Sequence, residues 1–296
     1  MNTAATTIEA ARWALGPVGA MLPVTFTDMP SVDRQREAVG RLERAGYRAA
    51  WTNEVIGKDA LVQLAVLLGV TERMVFGTGI ANIWAREPQM AHGAAALLAQ
   101  AYPGRIVLGL GVGYPEQAAS TGREFGRPLA TMRDYLDRMA APAQPPAPDA
   151  AYPRIIAANG PKMLALAGEI ADGAIPAMQP PEFTAQARQV LGPDKLLVAG
   201  LRVAAGPDGD PATMAARVRE HLTAGADHVT LMLPIGTDYA AGVDQLEQLA
   251  PVLTGARLME APELPAQRWP PGSLGAGIER LTIPRGGAAI SVPAPG

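Results

Sequence analysis

Short apolar, β-branched runs recur along this chain, and each leads into a longer stretch whose apolar positions have helical spacing. The runs cover residues 16–22, 47–52, 74–82, 105–113, 154–158, 173–177, 196–204 and 227–233. The helical stretches cover 31–45, 59–70, 88–101, 128–139, 161–171, 181–191, 211–224 and 239–253. Strands that are apolar throughout are buried on both faces, as in a parallel sheet covered by helices. Eight alternations over about 240 residues predict a (β/α)8 barrel in preference to an open doubly wound sheet.

The boundaries carry mechanisms of their own. Several helical stretches open with proline, whose missing N–H costs nothing in a first turn. Ser31 and Asp210 stand where N-caps belong. The segments Ala167-Gly-Glu-Ile-Ala-Asp-Gly-Ala174 and Leu222-Thr-Ala-Gly-Ala-Asp-His-Val229 repeat one helix-to-strand turn, a trace of a recurring βα unit. A Pro/Ala linker over 141–151 predicts a surface excursion before the fifth strand. Beyond 257 proline and glycine rise and periodicity fades. The expected organisation is therefore a barrel over 1–256 and an irregular tail over 257–296.

Two runs end in glycine-rich corners, Met74-Val-Phe-Gly-Thr-Gly-Ile-Ala-Asn82 and Arg105-Ile-Val-Leu-Gly-Leu-Gly-Val-Gly113. Glycines there predict backbone brought close to something flat, at the strand ends where parallel sheets hold ligands. Composition then narrows the field. With 48% hydrophobic and 18% charged residues the chain reads as globular, and a net charge of −3 gives no reason to expect nucleic acid or an anionic membrane as partner. The absence of cysteine excludes disulfides, a thiolate nucleophile and sulfur-ligated metal. The lack of an 18-residue uncharged apolar run and of a basic-then-apolar N-terminus makes a cytoplasmic, membrane-free protein the expectation. His92 and His221 fall in helical stretches and His228 enters the eighth run; none are paired at metal-ligand spacing, so no metal site is expected.

Four corners together resemble the bacterial luciferase-like superfamily of TIM-barrel flavin and deazaflavin oxidoreductases. They are Ala50-Trp-Thr-Asn-Glu54, Gly77-Thr-Gly-Ile-Ala-Asn-Ile-Trp-Ala-Arg-Glu-Pro88, Tyr102-Pro-Gly-Arg-Ile-Val-Leu-Gly-Leu-Gly-Val-Gly113 and Ala157-Ala-Asn-Gly-Pro-Lys-Met163. The Ile83–Pro88 corner looks most like an F420-dependent subgroup. The resemblance implies coenzyme F420, or alternatively FMN, lying across the carboxyl end of the barrel, with a non-proline cis peptide at Gly79–Ile80 behind its ring. It implies cofactor contacts from Trp51, Asn53, Gly79, Ile80, Asn82, Gly111 and Gly113. The cofactor phosphate would lie near Ala158, Asn159, Gly160 and Met163, at a helix N-terminus. Glu54 and Tyr114 are the candidates for proton transfer, and Met21, Trp84, Met178 and Met232 for a substrate pocket. Arg86 could reach an anionic group, pair with Glu87 or remain solvated. Relatives commonly form homodimers through barrel helices.

The chain also departs from that family. Val55 stands where many relatives follow the acid with a histidine, and Tyr114 where some F420 enzymes carry a glutamate. The crossover from the seventh to the eighth strand holds only one loop and one helix, where relatives insert a lid. A short lid counts against an FMN-dependent monooxygenase, which must shield a reactive intermediate from water. It is less damaging to hydride transfer between F420 and a small organic substrate. A third reading is a barrel whose cofactor chemistry is lost or repurposed for binding.

Overall fold

The computed structural model describes residues 3–24, 29–204 and 209–255, so the expected tail over 257–296 lies outside the described residues. The described residues hold nine strands: β1 (Val18–Met21), β2 (Ala49–Thr52), β3 (Val75–Thr78), β4 (Ala81–Asn82), β5 (Ile106–Gly111), β6 (Arg154–Ile156), β7 (Gly173–Ala174), β8 (Leu196–Arg202) and β9 (His228–Met232). The helices are α1 (Thr3–Leu15), α2 (Val32–Arg44), α3 (Ala60–Leu68), α4 (Pro88–Ala101), α5 (Pro115–Ala119), α6 (Pro128–Ala140), α7 (Pro161–Ile170), α8 (Pro181–Leu191), α9 (Pro211–Thr223) and α10 (Tyr239–Leu253).

All pairings between strands are parallel, in the order β3-β2-β1-β9-β8-β7-β6-β5-β4, and β3 also pairs with β5. That last pairing closes an eight-strand barrel, with β4 continuing the third strand beyond a bulge. The predicted caps form: the Ser31 hydroxyl accepts from Arg34 N, and Asp210 accepts from Ala212 N and Thr213 N. Between β8 and β9 the described residues hold the single helix α9. The 141–151 excursion has neither helix nor strand and contains a cis Gln144–Pro145 bond.

Alternation along the strands divides the core in two. Outward side chains such as Ala20, Ala50, Phe76, Leu108 and Leu231 meet the helices. Inward ones fill the lumen: Met21, Ala49, Trp51, Val75, Val107, Ile155, Ile175, Leu196 and Val198. Ile8 and Leu15 of α1 join the lumen group beside residues at the strand beginnings, so α1 plugs the amino end of the barrel. Arg12 fastens the plug, donating to Lys195 O at 2.9 Å and pairing with Asp227 at 3.0 Å. The sequence pattern did not announce α1, whose alanines and threonines carry little amphipathic contrast.

Candidate active site

The βα loops converge at the carboxyl end of the barrel, where the third strand breaks. The Gly79–Ile80 peptide is cis, and β4 resumes on the far side to pair with β5. At the break the Thr78 side chain takes over the ladder, donating to Gly109 O at 2.7 Å and accepting from Gly109 N at 2.9 Å. A Cβ at residue 109 would overlap the Thr78 carbonyl, so only glycine fits.

The glycine corners thus read differently in three dimensions. The flat group against Gly77 is the indole of Trp51, a Cβ on Gly79 would lie 2.7 Å from Met21 Cε, and one on Gly111 would lie 2.7 Å from Ile80 Cγ1. These close approaches are made by the protein itself. At Gly77, Gly79 and Gly111 the glycine signal therefore reports how the bulge is packed.

Trp51 is wholly buried in the lumen, and Met21 and Ile175 pack with it beneath the bulge. Trp84 is also buried, donating its indole N–H to Val112 O at 2.7 Å and packing against Phe125 in the outer core. These side chains support the mouth from below and behind. What faces outward over the lumen is partly exposed: Val24, Ile80, Ala157 and Met232. Around this apolar seat stand large exposed side chains from five βα loops, namely Met29, Ile56, Tyr114, Met178 and Ile235. Apolar groups left in water around a barrel mouth mark a place where something binds.

Glu54 sits beneath the rim, its side chain 1% exposed and fully engaged. Oε1 accepts from Ala60 N at 2.9 Å, Oε2 accepts from Asn82 N at 2.8 Å and from Arg86 Nη1 at 3.1 Å, and Arg86 Nη2 pairs with Oε1. Asp59 takes a second contact with Arg86, at 3.0 Å. Burial works against the charged guanidinium, yet the two carboxylates outweigh it and raise the Arg86 pKa. Arg86 therefore pairs with Glu54 and Asp59, and not with Glu87 as one sequence reading had it. Glu87 instead receives Arg123 and Arg138.

Asn82 is 1% exposed, with its Oδ1 accepting from Trp84 N at 3.0 Å. Its Nδ2 is buried without a hydrogen-bond partner and points to the Gly113 corner, 3.6 Å from where a Cβ on Gly113 would lie. A buried donor left without a partner is rare in a folded protein. Gly113 adopts φ +55, turning the chain into Tyr114, which is exposed and opens α5. Across the mouth, Gly160 caps α7 without a side-chain bond and with open space where a Cβ would stand. Asn159 Oδ1 accepts from Ala177 N at 2.8 Å, joining the corners after β6 and β7. Ala158 is buried beneath them, Met163 packs on the outer core, and Asn53 is held by Lys58. Lys58, which sequence reasoning passed over, follows a glycine in a short polar loop and has no motif to mark it.

The luciferase-like monooxygenase family matches residues 13–192, and the chain belongs to that family. Among its relatives is a Mycobacterium tuberculosis protein named "Putative coenzyme F420-dependent oxidoreductase", 31% identical over 179 residues, which are 50% of this chain and 52% of the relative. The F420-dependent hydroxymycolic acid dehydrogenase of M. tuberculosis is 30% identical over 224 residues, 62% of this chain and 57% of that protein. The chain thus spans about half the length of the curated relatives it matches. An F420-dependent secondary alcohol dehydrogenase bound to an F420–acetone adduct shares the fold, with a TM-score of 0.65 at 15% identity over 80% of this chain and 98% of that one. The oxygenating constituent of 3,6-diketocamphane monooxygenase from Pseudomonas putida, solved with FMN, shares it at a TM-score of 0.60 and 14% identity, over 80% of this chain and 98% of that one. Among the described residues no helix is long and apolar enough to cross a membrane.

Proposed function

We propose that this chain is an F420-dependent oxidoreductase that transfers a hydride between the deazaflavin and a small organic substrate at the barrel mouth. The observation that carries the reading is the buried, unpartnered Nδ2 of Asn82 beside Gly113, at the rim of a half-exposed apolar seat. Relatives named for F420 supply the choice of ring. The cofactor brings the hydride chemistry, and the protein supplies binding, orientation and electrostatics.

Ile80, Ala157 and Met232 would seat the ring, Asn82 would donate to it, and Gly160 with the open turn of α7 would hold its phosphate. Glu54 is committed to Arg86 and to the Asn82 backbone, so its part is to hold Asn82 in place. Tyr114, exposed at the rim, is the group left to move a proton. Two copies of the chain would associate through the outer faces of α3 and α4, where Val62, Met90 and Leu97 are exposed.

Fluorescence titration of the purified protein with F420 and with FMN tests the reading. Saturable F420 binding that weakens about tenfold in Asn82→Ala is expected, the loss of one charge-free hydrogen bond in a dry site. Binding of FMN alone would favour the monooxygenase reading. Binding of neither would leave a barrel repurposed for another ligand.

A further inference from the structure

Among the described strands, one charged side chain stands at a carboxyl end. β8 closes on Arg202, whereas the others close on apolar residues, glycine, threonine or asparagine. The alternation along β8 shows which way Arg202 faces. Leu196 and Val198 belong to the lumen, and Leu197, Ala199 and Leu201 to the outer core. Residues 200 and 202 are therefore on the lumen face. The surroundings of Gly200 agree, since a Cβ there would lie 2.8 Å from Sδ of Met232, which packs on the lumen group.

Arg202 pairs in register with that same Met232, one of the residues of the apolar seat. On its other side the chain after β7 runs alongside β8, with Met178 N donating to Gly200 O at 2.7 Å and the Met178 side chain exposed. Arg202 is itself exposed and makes no ion pair with a described residue. Carboxylates of the neighbouring loops are spent elsewhere: Asp210 caps α9 and Asp238 caps α10. The side chain recorded beside its backbone is another cation, Arg217, whose Nη1 donates to Arg202 O at 3.4 Å. A guanidinium thus stands at the edge of an apolar seat with no counter-ion among the described residues.

Resting on the reading of the mouth as the reaction site, we propose that Arg202 anchors the substrate by a carboxylate. Side chains at the carboxyl ends of barrel strands are the ones a bound molecule meets. The planar fork of guanidinium donors matches the two oxygens of a carboxylate, and a low-dielectric apolar surface beside it strengthens the attraction. The corner assigned above to the cofactor phosphate follows β6, separated from β8 by β7, so Arg202 is left for a second anion. With methionines on both flanks, the carboxylate belongs to a molecule with an apolar body. The substrate is an organic acid whose body lies over Met232 and whose charge is held at the end of β8.

Phenylacetate is the probe, with phenylacetamide as its neutral counterpart, each titrated into the full chain and followed by ligand-observed NMR. Saturable phenylacetate binding is expected, weakened about tenfold or more in Arg202→Met and in Arg202→Gln, with the amide at least about tenfold weaker than the acid. Arg219→Met removes an equal charge from an exposed position on α9 and should leave the affinity unchanged. Far-UV circular dichroism checks the fold of each variant. No saturable phenylacetate binding, an amide that binds as tightly as the acid, an unchanged affinity in Arg202→Met, or an equal loss in Arg219→Met would each overturn the anchor. The F420 titration runs in parallel, and Arg202→Met should leave F420 affinity unchanged; a tenfold loss there would give the guanidinium to the cofactor and overturn its role toward substrate. F420 binding without phenylacetate binding overturns the anchor and leaves the cofactor reading standing. Phenylacetate binding that depends on Arg202, without F420 binding, supports the anchor and removes the cofactor reading.

Discussion

Inside the barrel Trp51 donates its indole N–H to Nε2 of His228 at 3.0 Å, while Nδ1 of the same ring lies 2.7 Å from Gly16 O. Nε2 must accept, so the imidazole proton resides on Nδ1 and is donated to the carbonyl; the network assigns the neutral tautomer. The pair joins β2 to β9 across the lumen and fixes the indole on which the Gly77 backbone rests.

That neutral ring makes stability depend on acid. Burial lowers the His228 pKa to about 4, against a smaller opposing pull from the Gly16 carbonyl. The unfolded chain takes up this proton near 6.5, whereas the folded chain resists it until about 4. Between those values the unfolded state holds more protons, so stability rises with pH there and is lost as pH falls through the window. The full loss is about 3 kcal/mol, at about 1.4 per pH unit. Urea unfolding between pH 4 and 6.5 should show a slope reduced by roughly one proton in His228→Gln. An unchanged slope would mean that another group governs the acid limb.

Gly77 leaves no room for a side chain: a Cβ there would sit 2.8 Å from Trp51 Cδ2. Overfilling a packed core costs about 1–3 kcal/mol. Gly77→Ala should therefore lower Tm by several degrees, and Trp51→Leu in the same chain should return part of that loss, because the clash is with the ring. If the two losses simply add, the contact is not the cause.

How much of this was legible in the chain follows from where the information sits. Strand and helix order is local, written in apolar period, proline and caps, and it predicted the eight βα repeats of the barrel but neither α1 nor α5; the helix at 88–101 and the one at 239–253 match to the residue. The cis bond at Gly79–Ile80 was implied by resemblance, since two glycines around a threonine fit an ordinary turn as well. Partnerships were not legible. That Arg86 reaches back 32 positions to Glu54, or that Arg202 stands beside Met232, depends on the barrel bringing remote segments together. The glycine corners show the limit best. Their spacing announces a close approach, but the sequence cannot say whether the other party is a ligand or Trp51.

The Arg86–Glu54 pair is a structural device, and its removal should show as such. Arg86→Met leaves a carboxylate in a site where its side chain is 1% exposed. Stranding one member of a buried pair costs about 3–5 kcal/mol. Adding Glu54→Gln to Arg86→Met should recover part of it, since the amide needs no counter-ion and its oxygen still accepts from Asn82 N, while its NH2 loses the bond from Ala60 N. Thermal unfolding of the two variants decides the point. A double variant no more stable than the single one would show that the loop depends on the charges themselves.

Thr230 points into the lumen from β9, wholly buried, and its hydroxyl has no hydrogen-bond partner. An unsatisfied buried hydroxyl costs about 1–3 kcal/mol. Thr230→Val keeps the shape and removes the polar oxygen, so it should raise stability by about 1 kcal/mol in denaturant unfolding. A loss of stability would reveal that a water or ligand bonds this hydroxyl in solution.

The outer faces of α3 and α4 make the association proposal concrete. The α3 segment ALVQLAVLL carries no charge, and α4 carries none beyond its histidine, His92. Val62, Met90 and Leu97 are 63%, 68% and 57% exposed on these adjacent helices, and a Cβ added at Gly93 would meet nothing. Surface helices normally place charged residues on that side, because nothing else keeps the face in water. Covering it with a second copy removes three large side chains from solvent at each subunit, about 1.5–3 kcal/mol for each side chain fully buried. Leu97→Arg sets two guanidinium groups against one another in such a contact without touching the buried face of α4. Light scattering after size-exclusion chromatography should show a dimer for the native chain and a monomer for the variant. A native chain that elutes as a monomer at high concentration would remove the α3–α4 contact.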